Sequence, residues 1–198
     1  MSEFKVNTIT NRDGSYGPQV CGITTFGSSG MQLPSGPTEF RGGRGRGVFF
    51  GGSPADPDTM TSVEIATTGN GSDFGTLAND LGNCKGCASS TRGLIMGGIT
   101  YPGATYVNVI ESIQISSLGN SVDFGDLTNK PNGGAGFSSK TRGFVAGGNT
   151  PDGYGINVIQ FVTIATAGNA TDFGDVGYSR ANPRGISNNT RGVYSGGE

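Results

Sequence analysis

The heptapeptide RGLIMGG at residues 92–98 decides the fold, because the chain repeats it with small changes about every 50 residues. The first three copies continue into a valine- and isoleucine-rich segment, then a Gly-Asn pair and an Asp-Phe-Gly triplet. A period in this range is typical of proteins built from one repeated supersecondary unit. The other copies are RGVFFGG (46–52), RGFVAGG (142–148) and RGVYSGG (191–197).

Each copy predicts two main β-strands. The apolar triplet before Gly-Gly predicts a strand buried on both faces, because consecutive side chains of a strand point to opposite sides. The next segment alternates apolar and polar residues, which is typical of a strand with one buried face. Because helical periodicity is missing, the sequence predicts an all-β fold. The alternating segments are 60–65, 110–115 and 159–164.

The chain divides into an arm and a repeat domain. Residues 1–45 lie outside the repeat and predict an anchoring arm, with short strands at 4–10 and 19–26 and an extended linker at 31–40. Residues 46–198 form the predicted β-repeat domain. Its last segment is expected to close the first repeat, or else other chains complete the sheets. The expected parts are 46–91, 92–141, 142–190 and a closing strand at 191–198.

Composition narrows the possible functions of the chain. Among 198 residues there are 38 glycines, no histidine and no tryptophan, and the net charge is −2. This charge balance predicts no nucleic-acid surface, and the absence of histidine removes the commonest general base. No apolar stretch approaches the roughly 20 residues of a membrane helix. The start of the chain does not resemble a secretory signal. We therefore expect a protein made in a cytoplasm, without membrane insertion.

The three Asp-Phe-Gly triplets predict architecture rather than chemistry. The phenylalanine is expected to plug the space between sheets, the aspartate to cap a turn, and the glycine to let the chain bend. A calcium site at Asp123 and Asp126, or at Asp172 and Asp175, is the alternative, but Thr76 breaks the pattern in the first repeat. No catalytic residue, metal site or cofactor is predicted.

The two cysteines of a Cys-x-x-Cys motif favour a structural interpretation. Cys84 and Cys87 would form only half of a zinc site. Cys87 aligns with Phe137 and Ile186 of the other repeats, so we expect a small buried apolar side chain.

The loops after each Gly-Gly differ most between repeats, and variable loops on a regular scaffold often bind ligands. Those of the second and third repeats combine aromatic and polar residues suited to sugar or protein contacts. The candidate binding residues are Tyr101, Tyr106, Asp152 and Tyr154.

The order of these segments resembles a kelch repeat, in which Gly-Gly ends the second strand of a propeller blade and an aromatic residue follows the third. Here RGLIMGG and VNVIESIQISSLGNSVDFGDL match that order, with phenylalanine in place of tryptophan. Propellers normally have about 4–8 blades, whereas this chain has three repeats. Completion by other chains, a compact three-fold β domain or an open stack of sheets are the alternatives.

A second resemblance covers nearly the whole chain. The opening VNTITNRDGSYGPQVCGITTF, the segment SGMQLPSGPTEFRGGRGRG and the repeats together resemble virion proteins of tailed phages that infect marine cyanobacteria. That resemblance implies a non-enzymatic structural protein of a virion, such as a tail fibre or baseplate component. The implied partners are other virion proteins, copies of itself, and a glycan or protein of the host surface. A capsid decoration protein and a lectin-like glycan-binding module are the alternatives.

Overall fold

The computed structural model describes residues 24–25, 31–32, 45–52, 55–153 and 155–197. Every regular element among them is a β-strand, and 49% of the chain is strand. The predicted all-β fold is therefore confirmed. Since these residues form no helix, none of their elements is a helix that could cross a bilayer.

The chain separates into two compact units, Met1–Arg41 and Gly42–Glu198. In the first unit, β1 (Thr24–Thr25) pairs antiparallel with β2 (Met31–Gln32). The predicted strand at 19–26 is thus described only at Thr24–Thr25, and its partner belongs to the segment expected to be a linker. The predicted strand at 4–10 lies outside the described residues.

The second unit contains the repeats. Its strands in chain order are β3 (Arg46–Phe50), β4 (Thr59–Glu64), β5 (Ser72–Thr76), β6 (Leu81–Gly82), β7 (Lys85–Ala88), β8 (Arg92–Met96), β9 (Ile99–Thr100), β10 (Thr105–Tyr106), β11 (Val109–Gln114), β12 (Val122–Asp126), β13 (Ala135–Ser138), β14 (Arg142–Ala146), β15 (Val158–Thr163), β16 (Thr171–Asp175), β17 (Arg184–Ser187) and β18 (Gly192–Ser195).

These strands form several antiparallel sheets, none of which closes into a barrel. We call β3-β4-β5 the first sheet, β7-β8-β11-β12 the second sheet, β13-β14-β15-β16 the third sheet, and β17-β18 the C-terminal hairpin. A small sheet joins β6, β9 and β10. The second and third sheets have the same strand order, and β17 pairs with β18 as β13 pairs with β14. The hairpin therefore corresponds to the first two strands of a sheet.

A β-bulge recurs at the same place in each sheet. The pairing register shifts after Met60, Ile110 and Ile159, where β4, β11 and β15 pair with the strands that carry Asp-Phe-Gly. A bulge adds one residue to a strand and reorients the side chains beside it. The Asp-Phe-Gly triplets thus lie within β5, β12 and β16, whereas the sequence indicated a turn.

Two apolar clusters hold the sheets together. Met60, Phe74, Ile95 and Ile113 belong to the cluster that joins the first and second sheets. The cluster between the second and third sheets contains Leu94, Met96, Ile110, Phe124, Leu127, Val145, Val162 and Ile164. Each fully buried side chain of this size contributes about 1.5–3 kcal/mol, so burial between sheets is the main source of stability.

The predicted burial of the apolar triplets holds fully in the second sheet and, in the third sheet, for Val145 and Ala146 but not for Phe144. Ile95 is 0% exposed, but Phe49 and Val193 are 63% and 50% exposed. The prediction is wrong there because, within the described residues, the first sheet and the C-terminal hairpin each have a packed sheet on one face only. The same reason leaves Ile65 71% exposed, although its counterparts Ile115 and Ile164 are buried.

The segment expected to close the first repeat is placed elsewhere. In the described residues β18 pairs with β17, and β3 pairs with β4. The first sheet therefore has three strands and contains neither strand of the hairpin.

Candidate assembly surface

At the junction between each pair of consecutive sheets, one arginine side chain contacts the next sheet. Arg46 donates from Nη1 to the carbonyl oxygen of Ile115 over 3.0 Å, and Arg92 donates from Nη1 to that of Ile164 over 2.8 Å. The guanidinium groups also lie 5.8 Å and 5.7 Å from the ring centres of Phe74 and Phe124. These are cation–π distances. The arginine of the repeated heptapeptide is thus a sheet-to-sheet contact.

The Asp-Phe-Gly strand forms the second part of each junction, through its outward backbone groups. Between the second and third sheets, Gly168 N–H donates to the carbonyl of Phe124 over 2.8 Å, and Asp126 N–H donates to Oδ1 of Asn169 over 3.0 Å. Between the first and second sheets the same bonds join Gly119 to Phe74 and Thr76 to Asn120. The Gly-Asn pair therefore binds the edge strand of the preceding sheet.

Glycine is required where these two segments meet. Gly125 has a φ of +148°, and a Cβ atom there would collide with the carbonyl oxygen of Gly168. A Cβ at Gly75 would lie 2.5 Å from the carbonyl oxygen of Gly119. The triplet glycines therefore allow a close approach between sheets as well as an unusual backbone conformation.

A buried polar side chain at the bulge forms the third part of each junction. Glu111 is 0% exposed and accepts hydrogen bonds from Ala78 N–H (3.1 Å), Asn79 Nδ2 (2.6 Å) and the hydroxyl of Ser121. Its counterpart Gln160 is 1% exposed and accepts from Thr128. These donors satisfy the oxygen atoms of both side chains, whereas the buried Nε2 of Gln160 has no hydrogen-bond partner among the described residues. Both side chains secure the loop that leaves the preceding sheet.

The outward face of the third sheet carries the same groups without these partners. Phe173 is 54% exposed, whereas Phe74 and Phe124 are 2% and 3% exposed. A Cβ at Gly174 would meet open space. The Arg142 guanidinium lies 4.7 Å from the ring centre of Phe161, and among the described residues it has no hydrogen-bond acceptor. The face therefore presents a junction whose second half is missing from the described structure.

Aromatic rings cover this face. Phe144 stacks on Phe137 at 5.2 Å and meets the edge of Phe173 at 5.2 Å, while Phe161 lies 5.9 Å from both Phe144 and Phe173. Phe161 occupies the position that Ser62 and Ser112 hold in the other sheets, where both serines are buried. The third sheet thus differs from the first and second sheets in having an aromatic face on the side of the C-terminal hairpin.

A groove of about 470 Å³ lies between this aromatic surface and the C-terminal hairpin. Phe144 and Phe173 line it, and Arg142, Asn188 and Arg191 are among its polar lining residues. The hairpin covers Phe137, since that ring lies directly against Gly185 and Gly192. Among the described residues, no strand takes the third and fourth positions beside the hairpin. We call the exposed parts of Arg142, Phe144, Phe161, Phe173 and Gly174 the assembly surface.

The binding residues predicted from sequence lie elsewhere. Tyr101 follows β9, with its ring against Gly82, and Tyr106 lies in β10. Both are partly exposed. Asp152 is exposed in the corresponding turn of the third repeat, and Tyr154 lies outside the described residues. The structure therefore places two of the four on one turn of the second repeat and leaves their role a prediction.

The roles predicted for the Asp-Phe-Gly triplet hold in part. Phe74 and Phe124 plug the space between sheets as expected, but Phe173 does not. Asp172 accepts a hydrogen bond from Gly174 N–H over 3.0 Å, as expected of a local cap. Across the described residues, no three acidic or sulfur side chains gather as a metal site would require.

Both described cysteines pack their sulfur atoms inside the repeat domain. Cys84 Sγ lies against Gly51, and Cys87 Sγ lies against Gly143 of the third sheet. Burial raises the pKa of each thiol to about 12. The thiols therefore stay protonated, which agrees with the structural interpretation of Cys87.

Sequence reasoning missed the sheet-to-sheet contacts. It named the arginine only as a marker of the period, and it assigned no role to Glu111 or Gln160. The available signal was the recurrence of Arg-Gly and Gly-Asn at fixed places. No protein-family model matches the chain, and a comparison with curated proteins returns no match.

Proposed function

We propose that the chain is a non-enzymatic structural protein of a phage virion, a component of its tail fibre or baseplate. Residues 1–45 would anchor it, and the repeat domain would be displayed and contact the host surface. The sequence resemblance to virion proteins of tailed phages supports this proposal. Other virion proteins and copies of itself are the proposed partners.

The observation that carries the proposal is the assembly surface. Arg142, Phe173 and Gly174 repeat the groups that join one sheet to the next inside the chain, yet they are open in the described structure. Such a surface is suited to adding further protein in a fixed geometry. A β-rich particle component needs that property, because main-chain groups at sheet edges bind other strands.

The same contacts support a finer description of the fold as three kelch-like repeats. In the second and third sheets, Gly-Gly follows the second strand and Asp-Phe-Gly lies in the fourth strand. We include in the proposal an open series of blade-like sheets, since no barrel closes.

Quantitative mass spectrometry of purified phage particles tests the proposal. The chain is expected at a fixed copy number per particle, and it should remain with tails after tails and capsids are separated. Its absence from washed particles would overturn the proposal. Recovery with capsids alone would instead favour the decoration-protein alternative.

A deletion of residues 1–45 tests the anchor separately. The shortened chain is expected to be lost from particles, while a Tyr101→Ala, Tyr106→Ala double variant should still be incorporated. If the double variant is incorporated but host adsorption falls, the loops are the host contact. Incorporation of the shortened chain would contradict the anchoring role.

A further inference from the structure

We propose that the assembly surface binds the first sheet of a second copy of this chain, so that copies join head to tail. This inference deepens the proposed structural function by naming the partner and the strands involved. It rests on the observation that the chain makes the same sheet-to-sheet junction twice internally. The outward faces of the third sheet and of the first sheet each carry one half of that junction.

The outward face of the first sheet is the complement of the assembly surface. Phe49 is 63% exposed, while its counterparts Ile95 and Val145 are 0% and 1% exposed against a preceding sheet. Ile65 is 71% exposed, and the carbonyl of its counterpart Ile164 accepts from Arg92. The first sheet therefore offers the groups that a preceding sheet would contact.

Pairing the two faces repeats the internal junction, group by group. The Arg142 guanidinium would donate to the carbonyl of Ile65, as Arg92 donates to Ile164. Gly69 N–H would donate to the carbonyl of Phe173, as Gly168 donates to Phe124. Asp175 N–H would donate to Oδ1 of Asn70, as Asp126 donates to Asn169.

The number of strands in the hairpin and in the first sheet shows that β18 must leave its place when two copies join. The C-terminal hairpin holds the first two positions of a sheet, and the first sheet holds the last three. β18 and β3 are therefore equivalent strands that compete for one position beside β17. In the joined state β3 of the second copy replaces β18, and β17 becomes the fourth strand of the second copy's first sheet.

The features of β18 fit such an exchange. Gly192, Val193 and Ser195 are exposed, so the strand is held by its pairing with β17, by Tyr194 and by the contact of Gly192 with the Phe137 ring. β3 carries phenylalanines at the two positions where β18 has Tyr194 and Ser195. The incoming strand thus adds apolar contact that β18 lacks. Burial of the aromatic surface would favour the joined state.

A strand partner fits the surface better than a sugar does. An aromatic groove with a polar rim suits a sugar ring, but sugar binding does not require an edge strand with outward N–H and C=O groups at strand spacing. Those groups match a Gly-Asn segment such as Gly69-Asn70. In addition, the chain carries two equivalent strands, β18 and β3, for the one position beside β17. The second copy explains both observations.

Sedimentation velocity of the purified 198-residue chain tests the inference. A head-to-tail contact is heterologous, so copies should form an open or ring-like series that grows with concentration. Phe173→Asp should block one end, and Phe49→Asp should block the other. Each variant alone is expected to remain monomeric, whereas an equal mixture should form a one-to-one dimer.

Controls separate a blocked surface from a damaged fold. Leu118→Asp, at a side chain that is 63% exposed but outside both faces, should assemble like the parent chain. Thermal unfolding followed by circular dichroism should show each variant folded. Arg142→Glu is a second block of the same end, at an exposed side chain. Removal of residues 191–198 should strengthen assembly by removing the competing strand.

Three results would overturn the inference. These are a parent chain that stays monomeric up to millimolar concentration, a Phe173→Asp chain that still associates with itself, or a mixture of blocked variants that does not pair. A monomer whose Phe173 is protected by an oligosaccharide would assign the groove to sugar. These experiments use purified protein and test only the contact between copies. The proposed role in the virion is tested separately, by mass spectrometry of particles.

Discussion

Arg92 donates hydrogen bonds from Nη1 to the carbonyl oxygens of Ile164 and Ala165, at 2.8 Å and 3.1 Å, across 72 and 73 positions of the chain. One side chain of the second sheet thus closes the end of the third strand of the next sheet. The heptapeptide that reveals the repeat in the sequence is therefore also the segment that joins its sheets.

Replacing Arg92 with alanine should lower the free energy of unfolding by about 1.5–3 kcal/mol, because hydrogen bonds from a charged donor contribute that much. Arg142→Ala is the matched control. Its guanidinium has no hydrogen-bond acceptor among the described residues and keeps only the cation–π contact with Phe161, so the loss should be about 1 kcal/mol or less. Urea unfolding of the dilute monomer measures both values. Equal losses would show that the carbonyl contacts are not important.

Gly125→Ala should be among the most destabilising single changes, with a loss of about 2–4 kcal/mol, because the new Cβ would collide with the Gly168 carbonyl. Gly174→Ala is the matched control, because it introduces the same backbone strain without a collision. Gly174 also has positive φ, at +133°, but faces open space, so only the strain of about 1 kcal/mol is expected. Calorimetric melting of the two variants compares them directly. Identical melting temperatures would contradict the sheet-to-sheet contact.

Asn169→Ala should cost about 1 kcal/mol, because it removes the acceptor of the Asp126 N–H and leaves that donor unpaired. Asn70→Ala should change stability by less than about 0.5 kcal/mol in the monomer, since its side chain is exposed. In the head-to-tail state Asn70 gains a role. Asn70→Ala should then weaken self-association, whereas Asn169→Ala should leave it unchanged because Asn169 lies outside the two contacting faces. If Asn169→Ala weakens self-association more than Asn70→Ala does, the pairing of the two faces is contradicted.

The stability of the repeat domain should fall at alkaline pH through Cys87. Burial raises the pKa of its thiol from 9.0 to about 12. Between these values the unfolded chain loses the proton while the folded chain keeps it, so unfolding becomes more favourable as the pH rises. The slope is up to about 1.4 kcal/mol per pH unit for this thiol. Urea unfolding at about pH 8 and about pH 10 should show a smaller alkaline loss for Cys87→Ala than for the parent chain. The same loss in both would mean that the thiol ionises freely in the folded state.

The strands were predictable because their signal is local. The triplets before Gly97 and Gly147 lie in β8 and β14, and the alternating segments lie in β11 and β15 within one residue of their expected bounds. Sequence pattern specifies which side chains a strand presents. It does not specify whether another sheet covers them, and Phe74 and Phe173 therefore share a motif but not a burial state.

The junction residues were harder to predict for a physical reason. The bulge after Ile110 places Ile110, Glu111 and Ser112 all in buried positions, whereas strict alternation would turn one of them outward. A charged residue in such a run suggests a solvent-facing position. Its three donors come from segments about 10 to 30 residues away, which no local pattern reveals.

Hydrogen exchange of β16 tests the central claim, that the edge of the third sheet is an assembly surface, most directly. At low concentration, peptides covering β5 and β12 should be protected, while the outward amide of Asp175 in β16 should exchange quickly. As concentration rises, protection should appear at β16 and at Gly69-Asn70 together, with β18 becoming less protected as β3 replaces it. If β16 is as protected as β12 in the dilute monomer, or stays unprotected at every concentration, the account is contradicted.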